Sequence, residues 1–150
     1  MRKIILLFLL VQLVQPQAWA EDYTLRLRIP EDRVEIRQES GGDTPAVAIS
    51  RDLTIELQTM GLMERPWTLI VLAMGNLFGE GESIPASAVS WQALTPGFIE
   101  AGTLAAGVPQ VLARGAGDTE LVGRVRFLFR PGEYTAGRYD QVIRFILRSP

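Results

Sequence analysis

Short runs of alternating hydrophobic and polar residues recur along the chain, and residues that favour turns separate them. The clearest examples are residues 23–29 (YTLRLRI), 120–130 (ELVGRVRFLFR) and 138–147 (RYDQVIRFIL). Because successive side chains of a strand point to opposite faces of a sheet, a period of two predicts strands with one buried face. Further strands are predicted at residues 33–37, around 46–57, and at 66–74, 88–94 and 108–114.

The spacing of these runs predicts the fold class. About eight or nine short strands follow one another at intervals of roughly 8 to 15 residues, which is typical of antiparallel sandwiches. We therefore expect an all-β chain that folds as a two-sheet, antiparallel, immunoglobulin-like β-sandwich. The residues expected in its core are Trp67, Leu69, Val71, Val125, Phe127, Phe129, Ile143 and Phe145.

Two stretches interrupt the strand pattern. Residues 95–117 are rich in Gly, Ala and Pro and are predicted to be the most irregular region. Residues 38–45 (QESGGDTP) are predicted to form an exposed loop for the same reason. Pro85 would suit the first turn of a helix, but the β-branched and aromatic residues that follow it favour a strand.

The first twenty residues have the features of a signal peptide. Basic Arg2 and Lys3 precede an apolar stretch at residues 4–14 that is too short to span a bilayer as a helix. Residues 18–20 (AWA) supply the small residues that signal peptidase needs, so a signal peptide is preferred to an uncleaved membrane anchor. We expect a cleaved signal peptide at 1–20 and one exported domain at 21–150, with no transmembrane helix after cleavage.

The composition of the expected mature chain limits its partners and its chemistry. It has 13 basic and 17 acidic residues, a net charge of about −4, so nucleic acid is not an expected partner. The whole sequence has no histidine and no cysteine, and its one lysine lies in the signal peptide. These absences exclude hydrolases with a histidine base, serine–lysine dyads, Schiff-base chemistry and ordinary zinc sites. We expect no enzyme activity, no cofactor and no metal.

Carboxylate chemistry is the kind of catalysis or metal binding that this inventory leaves open. Glu80 and Glu82 form one pair of neighbouring acids, and Asp118 and Glu120 form another. Neither pair has the dense alternation of oxygen ligands that a calcium loop requires. We therefore interpret both pairs as solvated turn residues rather than as a site.

Arginines on alternating positions of predicted strands are candidate binding residues. Arg124 and Arg126 share a strand face with Arg130, and Arg26 and Arg28 share another. Such a stripe could dock an anionic polymer of the cell envelope. The alternative, which alternation alone predicts, is the solvent face of a sheet with cross-strand pairs to acids.

Aromatic side chains are the other binding candidates. Trp67 and Trp91 would stack on sugars if exposed, but both lie in apolar runs that favour the core. Tyr134 lies in a turn-rich segment, PGEYTAG (131–137), and is predicted at a loop tip. Tyr139 begins the last strand, where we expect a buried ring whose hydroxyl binds backbone at a corner of the sandwich.

The first strand after the predicted cleavage site has two interpretations. Residues 21–29 could complete the sheet of a neighbouring molecule, because pilus subunits present N-terminal segments of this kind. They could equally form an ordinary edge strand of their own domain, which needs no neighbour. The pattern favours the ordinary strand but does not separate the two.

Two short motifs resemble known families. Trp67-Thr68-Leu69 resembles the W-x-L motif of WxL surface domains, which bind the bacterial cell wall non-covalently. Residues 139–147 and Pro150 have a layout similar to that family's second motif, with Phe145 in place of its tryptophan. The layout is also similar to fimbrial and spore-coat-U-like β-sandwich subunits. The resemblance implies a secreted bacterial surface sandwich rather than a particular ligand.

These observations lead to one expected function and one alternative. We expect a non-catalytic bacterial protein, exported to the periplasm, the cell surface or the medium. It would act in adhesion, cell-envelope attachment or pilus-like assembly, with a cell-envelope polymer or another protein subunit as its partner. The alternative is a carbohydrate-binding module in which exposed Trp91 or Tyr134 stacks on sugar.

Overall fold

The chain forms two β-sheets. A computed structural model describes residues 3–14, 22–40, 47–130 and 132–150, and within them the helical structure consists of one 3₁₀ turn, Ala86–Ala88. The strands are β1 (Lys3–Val14), β2 (Thr24–Arg28), β3 (Arg33–Ser40), β4 (Ala48–Ile49), β5 (Leu53–Met60), β6 (Pro66–Ala73), β7 (Leu77–Gly79), β8 (Glu82–Ile84), β9 (Val89–Ala93), β10 (Ala101–Thr103), β11 (Gln110–Ala116), β12 (Thr119–Phe129) and β13 (Gly137–Arg148). The expectation of an all-β chain with two sheets is confirmed, and the arrangement is consistent with a β-sandwich.

Each sheet has a continuous path of five strands with shorter strands attached. The seven-stranded sheet has the order β11-β6-β13-β1-β3, with β7 against β13 and β8 against β7. The six-stranded sheet has the order β10-β9-β12-β5-β2, with β4 against β12. All ladders between the described strands are antiparallel except the β1–β13 ladder, which is parallel.

The core lies between the inward faces of the two sheets. Strand alternation produces it directly: Val125, Phe127 and Phe129 of β12 are fully buried, while Arg126 and Leu128 between them are partly exposed. Phe145 and Ile143 of β13 contribute from the other sheet. All eight residues that the sequence predicts for the core are buried, so that prediction is confirmed.

The sequence and the structure differ most where strands are very short. β7, β8 and β10 have three residues each, too few to show a periodic pattern. The region predicted to be irregular, 95–117, contains all of β10 and β11. The predicted exposed loop at 38–45 begins as part of β3, and Gln38 is buried; residues 41–46 lie outside the described residues.

The segment assigned to a signal peptide forms an interior strand. β1 pairs in parallel with β13 over ten residue pairs and antiparallel with β3 over eight. The predicted cleavage site at residues 18–20 lies outside the described residues. Among the described residues, no helix has the length and apolar character needed to cross a membrane.

Candidate functional site

The position that β1 occupies between β3 and β13, here called the β1 cleft, is the candidate site. β1 places Ile5, Leu7 and Leu9 in the core, and both leucines have no exposed surface. Leu7 lies in register between Ile36 of β3 and Tyr139 of β13. A strand in this position therefore completes both the backbone ladder of the sheet and the apolar core beneath it.

The outward face of β1 is apolar except for Gln12, which accepts a hydrogen bond from Arg144 Nε at 2.8 Å. Ile4, Leu10 and Val14 are exposed on this face. Phe8, on the same face, lies under two guanidinium groups: Arg33 at 5.3 Å and Arg138 at 4.2 Å from its ring centroid. These cation–π contacts cover part of one aromatic ring and leave the aliphatic residues in water.

The strands that border the cleft carry alternating charges on their outward faces. Arg37 of β3 and Arg138 of β13 lie opposite Leu6 from its two sides, and Glu35 and Asp140 lie opposite Phe8. Arg138 also forms an exposed ion pair with Asp140, with an Nη2–Oδ1 distance of 3.2 Å. A strand with charged residues on its outward face could form ion pairs with these side chains. The apolar side chains of β1 form none.

An apolar cavity adjoins the outer side of the cleft. It has a volume of about 360 Å³ and is lined by residues that include Phe8, Leu10, Met74 and Phe78. Phe78 is 62% exposed, which is unusual for so large an apolar side chain. Since β1 supplies part of the lining, the cavity depends on what occupies the cleft.

A hydrogen-bonded corner fixes the start of β13. Tyr139 is fully buried, and its hydroxyl oxygen lies 2.8 Å from the Thr135 carbonyl oxygen and 2.7 Å from Glu82 Oε1. Glu82 also accepts hydrogen bonds from the Thr135 backbone N–H and hydroxyl, at 2.8 and 3.0 Å. The expected hydroxyl-to-backbone bond of Tyr139 is confirmed, and Glu82 is a further partner that the sequence did not indicate.

The two ionisable groups of this corner have opposite pKa shifts. Burial, and then the hydrogen bond to Glu82, raise the pKa of Tyr139 to about 12. The hydrogen bonds from Tyr139 and from the Thr135 backbone lower the pKa of Glu82. Both shifts favour a neutral phenol that donates to a charged carboxylate, an arrangement that holds β13 in place beside the cleft.

The predicted arginine stripe is paired within its own sheet. Arg124 Nη1 lies 3.2 Å from Asp52 Oδ2 in an exposed ion pair. Arg126 donates from Nε and Nη2 to Gln92 Oε1, at 3.1 and 2.8 Å. These contacts match the cross-strand pairing that alternation alone predicts, so the structure gives no independent support for a polymer site at these residues.

The predicted sugar-binding aromatics lie in or against the core. Trp91 is only 3% exposed, and its Nε1 donates to the Ile99 carbonyl at 3.4 Å. Tyr134 is partly buried, with its ring 6.2 Å from that of Phe129. Trp91 therefore presents no open face on which a sugar could stack, and Tyr134 offers only part of one.

Three of the four predicted carboxylates form hydrogen bonds within the fold, and the fourth, Glu120, is exposed. Glu82 belongs to the corner described above, and Asp118 Oδ1 accepts a hydrogen bond from the Leu62 backbone at 2.9 Å. Glu80 Oε1 lies 3.4 Å from the Arg138 backbone nitrogen. Among the described residues, no group of three or more acidic, histidine or cysteine side chains could hold a metal ion.

Strand β2 pairs within its own domain. Its residues, Thr24–Arg28, form an antiparallel ladder with β5, and Leu25 and Leu27 are buried in the core. Of the two interpretations of this segment, the structure shows the ordinary strand. The strand that fills a cleft between two others is instead β1, whose sequence predicts a signal peptide.

No protein-family model matches this chain, and no curated protein is similar to it. One sequence signal could have indicated the cleft. Residues 4–14 form a continuous run without charges, and such a run is typical of a strand that lies between two others in a sheet.

Proposed function

We propose that this protein is an exported subunit whose immunoglobulin-like sandwich is completed by a strand from a partner molecule. The observation that carries the proposal is the identity of β1. The strand that fills the cleft and buries Leu7 and Leu9 consists of residues predicted to be removed on export. Cleavage after residue 20 would leave β3 and β13 without the strand between them.

The order of strands supports the immunoglobulin-like part of the proposal. In such domains one sheet contains strands C, F and G, and the other contains A, B, E and D. Here β6, β13 and β1 lie side by side as C, F and G would, and β2, β5, β12 and β9 lie as A, B, E and D would. The G position follows F in an ordinary chain, but here an N-terminal segment fills it.

The direction of β1 also supports a substituted strand. A strand joined to β13 by a tight hairpin would run antiparallel to it, whereas β1 runs parallel. The backbone groups of β3 and β13 that face the cleft would be unpaired without an occupant, and unpaired sheet edges recruit strands from other chains. Of the expected functions, adhesion, envelope attachment and assembly, this geometry favours assembly.

The test compares the full chain with residues 21–150, both made in a membrane-free translation system so that no signal peptidase acts. We expect the full chain to be a folded monomer by gel filtration and near-UV circular dichroism. Residues 21–150 alone should aggregate or lack fixed tertiary packing. Adding a peptide of residues 3–14, with lysine tags for solubility, during refolding should restore the folded state.

A peptide with Leu7→Asp is the matched control and should not restore folding, because it would bury an unpaired charge. The proposal is overturned if residues 21–150 alone fold as a monomer as stable as the full chain. It is also overturned if both peptides act alike.

A further inference from the structure

Two buried side-chain oxygens near the cleft lack hydrogen-bond partners. Among the described residues, Gln38 Oε1 and Gln141 Oε1 are the buried side-chain polar atoms with none. Both glutamines are only 3% exposed. Buried polar atoms in folded proteins almost always have a partner, so each exception needs a physical explanation.

Both glutamines border β1, one from each side. Gln38 of β3 lies opposite Ile5, and Gln141 of β13 lies opposite Leu9. Since side chains opposite one another in a ladder share a face, each glutamine points to the same side of the sheet as its apolar neighbour. Neither Ile5 nor Leu9 has a side-chain N–H or O–H to donate.

The orientation of the Gln141 amide is set by its other contact. Its Nε2 donates to the Gly75 carbonyl at 2.8 Å. A carbonyl only accepts, so the nitrogen must face Gly75 and the oxygen must be the free end. Rotating the amide would therefore break a good bond, and the unpartnered oxygen is a property of this site.

We propose that the natural occupant of the β1 cleft is a strand with hydrogen-bond-donating side chains at the positions of Ile5 and Leu9. These positions are four residues apart on the inward face, with an apolar residue between them at the position of Leu7. Threonine or serine hydroxyls and asparagine or glutamine amides have the required donor. This inference rests on the proposed function, because it specifies the partner of the same cleft.

The segment that precedes β2 after the predicted cleavage is too short to fill the cleft of a second copy of this chain. After the predicted cleavage, residues 21–23 are all that precede β2, and β2 is already paired with β5 over five residues. Three residues cannot span a cleft in which β1 pairs over eight to ten residues.

The test uses the full chain, made without membranes, and urea unfolding of three β1 variants. Leu7→Thr and Leu9→Thr remove the same apolar groups from fully buried positions, but only residue 9 faces an unpartnered acceptor. We expect Leu9→Thr to shift the unfolding equilibrium towards the unfolded state about tenfold less than Leu7→Thr does. Ile5→Thr, beside Gln38, should also be better tolerated than Leu7→Thr.

A double-mutant cycle assigns the effect to the amide. In a Gln141→Met background, the ratio between the effects of Leu7→Thr and Leu9→Thr on the unfolding equilibrium should fall about fivefold or more, because the acceptor at residue 141 is gone. Equal losses at positions 7 and 9, with no coupling to Gln141, would overturn the inference while leaving the cleft itself intact. If Leu7→Thr has no effect on stability, β1 does not complete the fold, and both the inference and the proposed function fail.

Discussion

Strands β1 and β2 follow each other in the chain, and each buries one row of leucines in the same core. They differ on the other face. β2 exposes Thr24, Arg26 and Arg28, and Arg28 forms an ion pair with Glu56 of the neighbouring strand at 3.1 Å. β1 exposes aliphatic side chains such as Ile4 and Leu10.

The difference shows that β2, unlike β1, has the polar outward face expected of a strand in contact with water. β2 satisfies both requirements of an edge strand, an apolar face towards the core and a charged face towards water. β1 satisfies only the first, and its neighbours contain two buried oxygens that it leaves without partners. β1 therefore fits the shape of the cleft but leaves part of its polar chemistry without a partner.

The largest expected effect comes from a charge in the cleft. Leu7→Asp in the full chain should abolish cooperative folding, because an unpaired charge in a buried site costs several kcal/mol. The measurement is urea or thermal unfolding followed by near-UV circular dichroism. Leu10→Asp, on the exposed face of the same strand, is the control and should leave a cooperative transition; similar behaviour of the two variants would contradict the placement of β1.

A second pair of variants compares the two strands directly. Leu9→Ala and Leu27→Ala each remove a buried leucine, and each should lower the free energy of unfolding of the full chain by about 2–5 kcal/mol. Denaturant titration measures both. The proposed function has residue 9 removed on export, so only Leu27→Ala should matter in exported protein that holds its partner strand; an effect of Leu9→Ala there would show that β1 is retained.

The corner at Tyr139 should have a smaller and pH-dependent effect. Tyr139→Phe should cost about 1 kcal/mol near neutral pH, because it removes the hydroxyl that lies within hydrogen-bond distance of both Glu82 and the Thr135 carbonyl. Because folding raises the pKa of Tyr139, this group contributes to the free energy of unfolding. The contribution is complete below pH 10 and is lost as the pH rises through about 12. Because folding lowers the pKa of Glu82, this group also contributes to the free energy of unfolding. That contribution is present above pH 4.5, the ordinary pKa, and is lost as the pH falls below 4.5.

Unfolding free energies measured across this pH range test the corner. The wild-type curve should decline at both ends, and the Tyr139→Phe curve should be flatter at the alkaline end. Parallel curves for the two proteins would mean that this hydroxyl does not set the alkaline decline.

The exposed ion pairs should have the smallest effects. Arg28→Ala and Arg124→Ala each remove one solvent-exposed pair and should change the free energy of unfolding by less than about 1 kcal/mol. Denaturant titration in low and high salt measures this, and the small differences should shrink further in salt. A loss of several kcal/mol would instead indicate a role beyond a surface pair.

The sequence predicted the architecture well because alternation is a local property. The long runs at β12 and β13 show their buried faces directly, so the alternation alone places Phe127 and Phe145 in the core. Tyr139 could be placed at a corner from its position after a turn. The short strands β7, β8 and β10 could not be predicted, because three residues are stabilised by their neighbours and not by their own pattern.

Most of the candidate site could not be predicted from the sequence. The sequence indicates binding residues by chemical type only. The structure pairs or buries each of these candidates at least in part: Arg124, Arg126, Trp91 and Tyr134. Residue type shows what a side chain can do, but exposure depends on which strands lie against it. No sequence pattern distinguishes Gln38 and Gln141 from other glutamines in strands. They are unusual only because their Oε1 atoms are buried without hydrogen-bond partners.

The sequence by itself therefore determined the class of fold, the core-facing rows and the absence of histidine and cysteine chemistry, all of which follow from local periodicity and composition. Only the tertiary structure decided that an apolar N-terminal segment completes a sheet between β3 and β13, and that two glutamine oxygens there are unsatisfied. The physical reason is that strand pairing joins residues far apart in the chain. Ile5 meets Gly137, and Val14 meets Ile146, through contacts that no local pattern encodes.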